Sequence, residues 1–348
     1  MTKPKRGTSI DPAASVADAI VRLQKGPPVL AIVDSGGKVV GTLSDADVRR
    51  AVLDGKSPEV PVSEAMAEPV TAPATSSDDE LLRVVMAHRS LGVPLVKDDK
   101  FVDVRLAADL PQWEEPLPIA VVMAGGRGQR LRPLTDKVPK PLLKVGSTSI
   151  IERIISALGA AGVLDVYLSV NYKASSFEDR LGSGDDLGVS LTYLRERKKL
   201  GTAGSLSMLP EPPEGPILVT NADILTRLDF TDLFDYHRSH GGPVTVAAVH
   251  HVTQIPYGVV RVENGRLSAI EEKPELRVLC NAGIYVLSPE VLQLVRADES
   301  LDMPELIERA LGEGMPVNVF PILERWFDIG SPEDFQRVLM EFATGEEE

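Results

Sequence analysis

Residues Ile119 to Val145 read IAVVMAGGRGQRLRPLTDKVPKPLLKV. The stretch opens on a short apolar run, Ile119 to Met123, bounded by Pro118 and by glycines. That is the pattern of a fully buried parallel strand. Gly125, Gly126 and Gly128 then allow a sharp turn and a close backbone approach to a ligand. Such a loop can aim bare N–H groups at phosphates. The cations Arg127, Arg130, Arg132 and Lys140 follow closely. Strand, glycine loop and fixed positive charge together point to a nucleoside triphosphate site. Two familiar loops are excluded. GGRGQR lacks the third glycine of GxGxxG, and no acidic ribose ligand follows a clear second strand. Nor does it fit GxxxxGK[ST].

Composition sets the outer bounds. The chain has 348 residues, enough for two domains. With 43% hydrophobic and 25% charged residues it has the balance of a soluble globular protein. A formal charge of −14 argues against a broad nucleic-acid or anionic-membrane surface, though not against a local cationic pocket. Cys280 is the only cysteine, so no internal disulfide or thiolate cluster is expected. No apolar run approaches the roughly 20 residues needed to cross a bilayer. The basic N-terminus, MTKPKRGTSIDP, lacks the apolar core of a signal peptide, and a cytoplasmic location is the expectation.

Residues 1 to 113 carry a small α/β unit written twice. The first copy reads as a helix at 15–23, strands at 29–33 and 39–43 around the turn Asp34-Ser35-Gly36-Gly37, and a helix from Ala46 to Leu53 capped by Ser44. The second reads as a helix at 78–88, strands at 93–96 and 101–104 around Asp98-Asp99, and a last helix beginning near Ala107. Repetition at a spacing near fifty residues is informative. The segment DLPQWEEPLP, Asp109 to Pro118, discourages helix and central strand alike. The division expected is therefore 1–113, a linker at 114–118, and a larger domain from 119 to 348.

The larger domain alternates strands and helices: a helix at 149–158, a strand at 163–170, a helix at 174–181, a strand at 189–194, a helix at 202–208 and a strand at 217–220. That order predicts an α/β fold with a doubly wound sheet, whose ligands sit at the carboxyl ends of the strands. Beyond Gly241 the pattern turns antiparallel, with strands at 244–249, 258–262 and 267–271, and Asn264-Gly265 marks a hairpin. Further strands at 282–286, 317–320 and 326–328, with helices at 303–311 and 332–342, complete the chain. The tail Gly345 to Glu348 is expected to fray.

Two resemblances sharpen this reading. GGxGxRLxPLTxxxPKPLLxV, matched from Gly125 through Val145, resembles the signature of sugar-phosphate nucleotidyltransferases. VVGTLSDAD, Val39 to Asp47, and VSEAM, Val62 to Met66, resemble a pair of cystathionine-β-synthase-type (CBS) repeats. The expected fold is a Rossmann-like doubly wound mixed sheet preceded by a small α/β CBS pair.

The transferase resemblance implies the following roles. Ala124, Gly125, Gly126 and Gly128 bind the nucleotide. Arg130 meets the β- and γ-phosphates, and Lys140, stiffened between Pro139 and Pro141, lies near the α-phosphate. Asp223, at the end of ILVTNAD, and Asp328, in WFDIG, hold Mg2+. Tyr257, Gly258, Glu272, Lys273 and Asn281 serve the sugar phosphate, with Glu272 and Lys273 in EEKP. Gly201 and Thr202, in LGTAG, with Glu196 just before them, face the base. Arg132 and Lys144 are weaker cationic candidates. The chemistry agrees: an ionised sugar phosphate attacking the α-phosphorus needs cations and Mg2+ more than acid–base groups.

An ionised Glu196 is acceptor-only and suits the N–H donors of guanine, whereas uracil or thymine suits Gln better. GTP is the expected donor. At the CBS pair, the resemblance assigns Ser44 to a nucleotide phosphate and Asp47 to a ribose. In the second copy Asp109 remains but Leu106 replaces the hydroxyl, so one competent adenosine-nucleotide site is expected. The tandem arrangement resembles the fused guanylyltransferases of legionaminic acid pathways, which use glucosamine 1-phosphate. Mannose 1-phosphate guanylyl transfer, glucose 1-phosphate thymidylyl or uridylyl transfer, and a non-enzymatic nucleotide-sensing protein stay open. A homo-oligomer is expected, with the CBS pair regulating or dimerising.

Overall fold

The computed structural model describes residues 8–110 and 118–343. Residues 114–117 of the expected linker and the tail from Gly345 lie outside the described residues. The N-terminal part is built from β1 (Ser9–Ile10), α1 (Val16–Lys25), β2 (Val29–Val33), β3 (Val39–Ser44) and α2 (Asp45–Leu53). The second copy follows as β4 (Ala72–Pro73), α3 (Asp78–His88), β5 (Gly92–Lys97) and β6 (Lys100–Leu106). Each copy makes a three-stranded sheet with one parallel and one antiparallel pair, β1-β2-β3 and β4-β5-β6. The repetition extends to the caps. Ser15, Ser44 and Ser77 each start a helix with a reciprocal bond to an acid three residues on. The copies differ at their ends. In place of the helix expected from Ala107 there is a three-residue 3-10 turn, Ala107–Asp109, with no side-chain cap at Leu106. Leucine offers no acceptor to the first free N–H groups, which is what Ser44 supplies in the first copy.

The larger domain continues as β7 (Ile119–Met123), β8 (Lys144–Val145), β9 (Thr148–Ser149), α4 (Ile150–Ala160), β10 (Asp165–Val170), α5 (Ala174–Leu181), β11 (Ser190–Arg195), α6 (Gly201–Gly204), β12 (Ile217–Asn221) and β13 (Ile224–Thr226). Then come α7 (Phe230–His240), β14 (Val244–Gln254), β15 (Val259–Glu263), β16 (Arg266–Glu271), β17 (Glu275–Leu287), α8 (Met303–Gly312), β18 (Val317–Ile322), β19 (Trp326–Asp328) and α9 (Pro332–Ala343). Seven strands form one mixed sheet in the order β11-β10-β7-β12-β17-β14-β18. The first four are mutually parallel, β17 runs antiparallel to β12 and β14, and β18 runs parallel to β14. Alternate residues feed two cores. Ala120, Val122, Leu218, Ile284, Val286 and Phe320 face α4, α7 and α9. Val121, Ile217, Val219, Tyr285 and Leu287 face α6 and α8. Among the described residues, no helix is long and apolar enough to cross a membrane.

Two departures from the sequence reading matter. The helix expected at 202–208 is a single α-turn, α6, followed by the 3-10 segment Ser205–Met208. Strands β14 and β17 run well past the sheet, and β15 and β16 close their far end around Asn264 and Gly265, both at positive φ. Thr220 of β12 pairs with Ile284, so residues 275–282 of β17 project beyond the carboxyl end of β12. The arm so formed leaves the sheet near a β-bulge between Val246 and Ala248. The same region holds Gly283 at φ 70°, where a Cβ would lie 2.6 Å from Asn221 Nδ2.

His237 sits in this frame as a buried polar brace of α7. Its ring nitrogens meet Thr245 Oγ1 at 2.8 Å and Ser288 Oγ at 3.2 Å. Burial, with a smaller push from Arg238, lowers its pKa to about 4. Between that value and about 6.5 the unfolded chain binds the proton and the folded one does not. Stability from this residue is therefore complete above about pH 6.5 and is lost, by about 3 kcal/mol, as the pH falls towards 4. His237→Gln should flatten that part of the curve, read from urea melts at a series of pH values.

Candidate active site

The carboxyl ends of β7, β10 and β12 are level, because Met123 pairs with both Ser169 and Asn221. Backbone bonds continue the alignment one residue further: Ala124 N–H donates to Ser169 O at 2.8 Å and Ala222 N–H to Met123 O at 3.1 Å. The glycine loop thus springs from the middle of the sheet. It borders a cleft of about 760 Å³ lined by Ala124, Gly125, Gly126, Gly128, Arg130, Lys140 and Asp223, among others. Gly128 takes φ +58° and begins a 3-10 turn, Gln129–Leu131, which presents Arg130. Thr135, 2% exposed, donates its hydroxyl to Gly128 O at 2.8 Å. The loop is therefore tied back onto the segment that leads to Lys140.

Lys140 is only 7% exposed and opens a 3-10 turn between its two prolines. Its ammonium donates to Asp223 Oδ2 at 2.5 Å. A buried ammonium requires such a partner. Asp328 lies alongside, because β13 and β19 pair Ile224 with Asp328 and Ile329 N–H donates to Asp223 O at 3.1 Å. Desolvation and the charge of Asp223 hold the Asp328 carboxyl above the ordinary range, opposed by Lys140 and Arg130. Asp223 on the cleft wall, with Asp328 beside it, matches what Mg2+ asks of a protein, one or two acids with the remaining ligands from phosphates and water. The donor set of Asp223 and Asp328 therefore fits Mg2+. Among the described residues, no group of three or more His, Cys, Asp or Glu side chains is placed to hold a metal alone.

Glu196 lies beneath the loop rather than on the cleft wall. Its Oε1 accepts from Ser169 Oγ at 2.6 Å and its Oε2 from Leu200 N–H at 2.9 Å. It is no surface partner of Arg195, which pairs with Glu178 at 2.5 Å. A carboxylate has about four acceptor positions, so the two bonds leave others unused. A Cβ on Gly125 would come within 2.9 Å of Glu196 Oε1, which explains glycine at that position. Gly201 and Thr202 turn away from the cleft lining. Thr202 N–H donates to Asp302 Oδ1 at 2.9 Å, and its hydroxyl accepts from Met303 N–H at 2.8 Å, anchoring α6 to the start of α8.

The residues expected at the sugar lie on the arm. Tyr257 is 73% exposed, Glu272 and Lys273 are exposed, and a Cβ on Gly258 would meet Glu272 Oε2 at 2.9 Å. Asn281 donates to Tyr285 Oη at 2.8 Å and accepts from Gly283 N–H at 2.9 Å. None of these lines the cleft, although the arm rises from the same edge of the sheet as Asp223. Arg132 pairs with Asp136 at 3.3 Å, and neither it nor exposed Lys144 lines the cleft. At α2, Ser44 Oγ donates to Asp47 Oδ2 at 2.7 Å, and Arg50 also pairs with Asp47. Asp109 lies in the uncapped turn that ends the second copy.

Sequence reasoning assigned no role to Asn171, Arg197, Lys198 or Lys199, all of which line the cleft. Asn171 directly follows β10, and the rule that polar residues after parallel strands matter would have found it. The three cations precede the LGTAG loop, where they read as solvated charge.

The chain belongs to the nucleotidyl transferase family, whose model matches residues 119–345; a CBS domain model matches residues 1–54. The mannose-1-phosphate guanyltransferase of Kluyveromyces lactis is 36% identical over 228 residues, 62% of this chain and 62% of that protein. Its namesake in Saccharomyces cerevisiae is 35% identical over 228 residues, again 62% of each chain. The chain thus spans less than two thirds of the length of these relatives. A solved structure from Bacillus anthracis, provisionally designated a glucose-1-phosphate thymidylyltransferase, superposes with a TM-score of 0.53 at 22% identity, covering 65% of this chain and 95% of that one. At that identity the likeness concerns the fold alone.

The loop geometry makes a direct test. Gly128→Ala forces a left-handed residue and brings its Cβ to 2.9 Å from that of Lys140. It should cost about 1–2 kcal/mol in urea melts. Gly126→Ala meets nothing within 4 Å and should stay within about 0.5 kcal/mol of the parent.

Proposed function

We propose that the chain transfers a guanylyl group from GTP to a hexose 1-phosphate, releasing pyrophosphate. The observation that carries this reading is the Lys140–Asp223 pair at the mouth of a glycine-rich cleft. A sugar-phosphate oxygen, already ionised, forms a bond to the α-phosphorus while the bond from that phosphorus to the β-phosphate oxygen breaks. No general base is needed. The protein must hold two polyanions in line and neutralise charge as it shifts to the leaving group. Lys140 would do this as a buried point charge, and Arg130 as a planar fork on the outer phosphates. Mg2+ held by Asp223 and Asp328 would supply further neutralisation of the phosphates.

Guanine is supported by the guanylyl activity for which the yeast relatives are named, and by the unused acceptor positions of Glu196 behind Gly125. The acceptor has two candidates. The tandem arrangement with a CBS domain favours glucosamine 1-phosphate; the names of the relatives favour mannose 1-phosphate. In either case the arm, with Glu272 and Lys273, would receive it.

A matrix of nucleoside triphosphates against sugar 1-phosphates, read by pyrophosphate release, tests all of this. GTP should lead with one hexose 1-phosphate. Preference for UTP or dTTP would overturn the base assignment, and no pyrophosphate release with any pair would overturn the enzyme reading. Lys140→Ala and Asp223→Asn should each lower kcat at least a hundredfold. Glu196→Gln should narrow the preference for GTP over UTP by tenfold or more, measured as a ratio of kcat/KM values.

A further inference from the structure

The most deeply buried charged side chain named so far in no role belongs to the N-terminal part. Arg49 of α2 is 1% exposed, and most of its guanidinium is spent on the larger domain. Nη1 donates to Pro321 O at 2.9 Å and to Glu324 Oε2 at 3.3 Å, and Nη2 to Glu324 Oε1 at 2.8 Å. Nε donates to Asp45 Oδ2 at 2.5 Å, and Asp232 of α7 stands 3.6 Å from Nη2. The guanidinium also lies 4.1 Å from the ring centre of Phe320. Beside it, Ala46 packs into the core of the larger domain.

What Arg49 holds is the root of the segment that carries Asp328. From Glu324 to Asp328 is four residues, at most about 14 Å of chain. Those residues have no slack. Arg227 N–H donates to Arg325 O at 3.0 Å, Trp326 Nε1 donates to Ala282 O at 3.0 Å, and β19 is paired to β13 up to Asp328. A bidentate grip on Glu324 and a bond to Pro321 O therefore fix where this ribbon begins.

We infer that Arg49 is a positioning residue for the transferase reaction: from the other domain, it sets the ribbon that places Asp328 beside Asp223. The inference rests on the proposed role of Asp328 at the metal. It needs a fork with fixed geometry, which a lysine would not supply.

The test uses the full chain in a Trp113→Phe background, leaving Trp326 on the ribbon as the sole tryptophan. Arg49→Met and Glu324→Gln should each raise the Mg2+ concentration for half-maximal pyrophosphate release five- to tenfold. Both should raise acrylamide quenching of Trp326 at least twofold. The double variant should be no worse than Arg49→Met alone. Asp232→Asn is the control. Burial and the neighbouring Asp45 push Asp232 up to about 7, so asparagine imitates its protonated form. It leaves the Pro321 and Glu324 bonds intact and should change neither readout. The inference is overturned if Arg49→Met and Glu324→Gln lower the melting temperature yet leave the Mg2+ requirement and the quenching within twofold of the parent. A parent that releases no pyrophosphate with any substrate pair refutes the proposed function; the quenching of Trp326 then decides the Arg49 grip separately.

Discussion

A lysine ammonium at the end of a parallel sheet, 7% exposed, must have a negative partner within bonding distance. Here that partner is Asp223, and much else follows from bringing the two together. Lys140 is far along a loop from β7, and Asp223 ends the turn after β12. They meet because β7 and β12 are parallel neighbours in register, and because the loop is stapled by Thr135 to Gly128. The glycine requirement is a consequence of the same closeness. At Gly128 a side chain would press on Lys140, and at Gly125 on Glu196. The cleft is thus a place where backbone, cation and acid have been packed as tightly as a core, with open space on one side only.

The elements that were legible in the sequence are those whose signals are local. The apolar run before the glycines, the serine caps with their acids three residues on, and Asn264-Gly265 at a hairpin all carry their physics within a few residues. That the glycine loop, Arg130 and Lys140 share one cleft was legible for the same reason. What escaped was decided by partners distant in the chain. Nothing near Thr202 announces that its hydroxyl will brace Met303, and the short α-turn of α6 depends on that contact. The length of β14 and β17 could not be read either, because their outer halves are exposed and lack a buried face to impose alternation. Arg49 is the clearest case. Asp45 and Arg49 have the spacing of an ordinary surface pair on a helix, yet the arginine is almost wholly enclosed by residues some 270 positions away.

That enclosure also gives the N-terminal part a structural meaning. Strand β18 is an edge of the large sheet, and an exposed edge invites unwanted pairing. Helix α2 lies against β18 and α7 there, with Ala46 inside the neighbouring core and Arg49 over Phe320. The two parts of the chain therefore share a packed boundary instead of a wet, sliding one, and a displacement of α2 cannot leave the large sheet undisturbed.

The arm bears on how this fold can diversify. The supports of the glycine loop, Lys140, Thr135 and Ser169, are buried, so a change in any one is felt by its neighbours. The arm from Tyr257 to Lys273 is mostly exposed and contributes little to either core. Its direction is set at the bulge and Gly283, inside the sheet, and not by the side chains it displays. Substitutions at its tip can accumulate with little penalty to folding. The supports of the cleft are therefore constrained by packing, while the tip of the arm can change its side chains without disturbing either core.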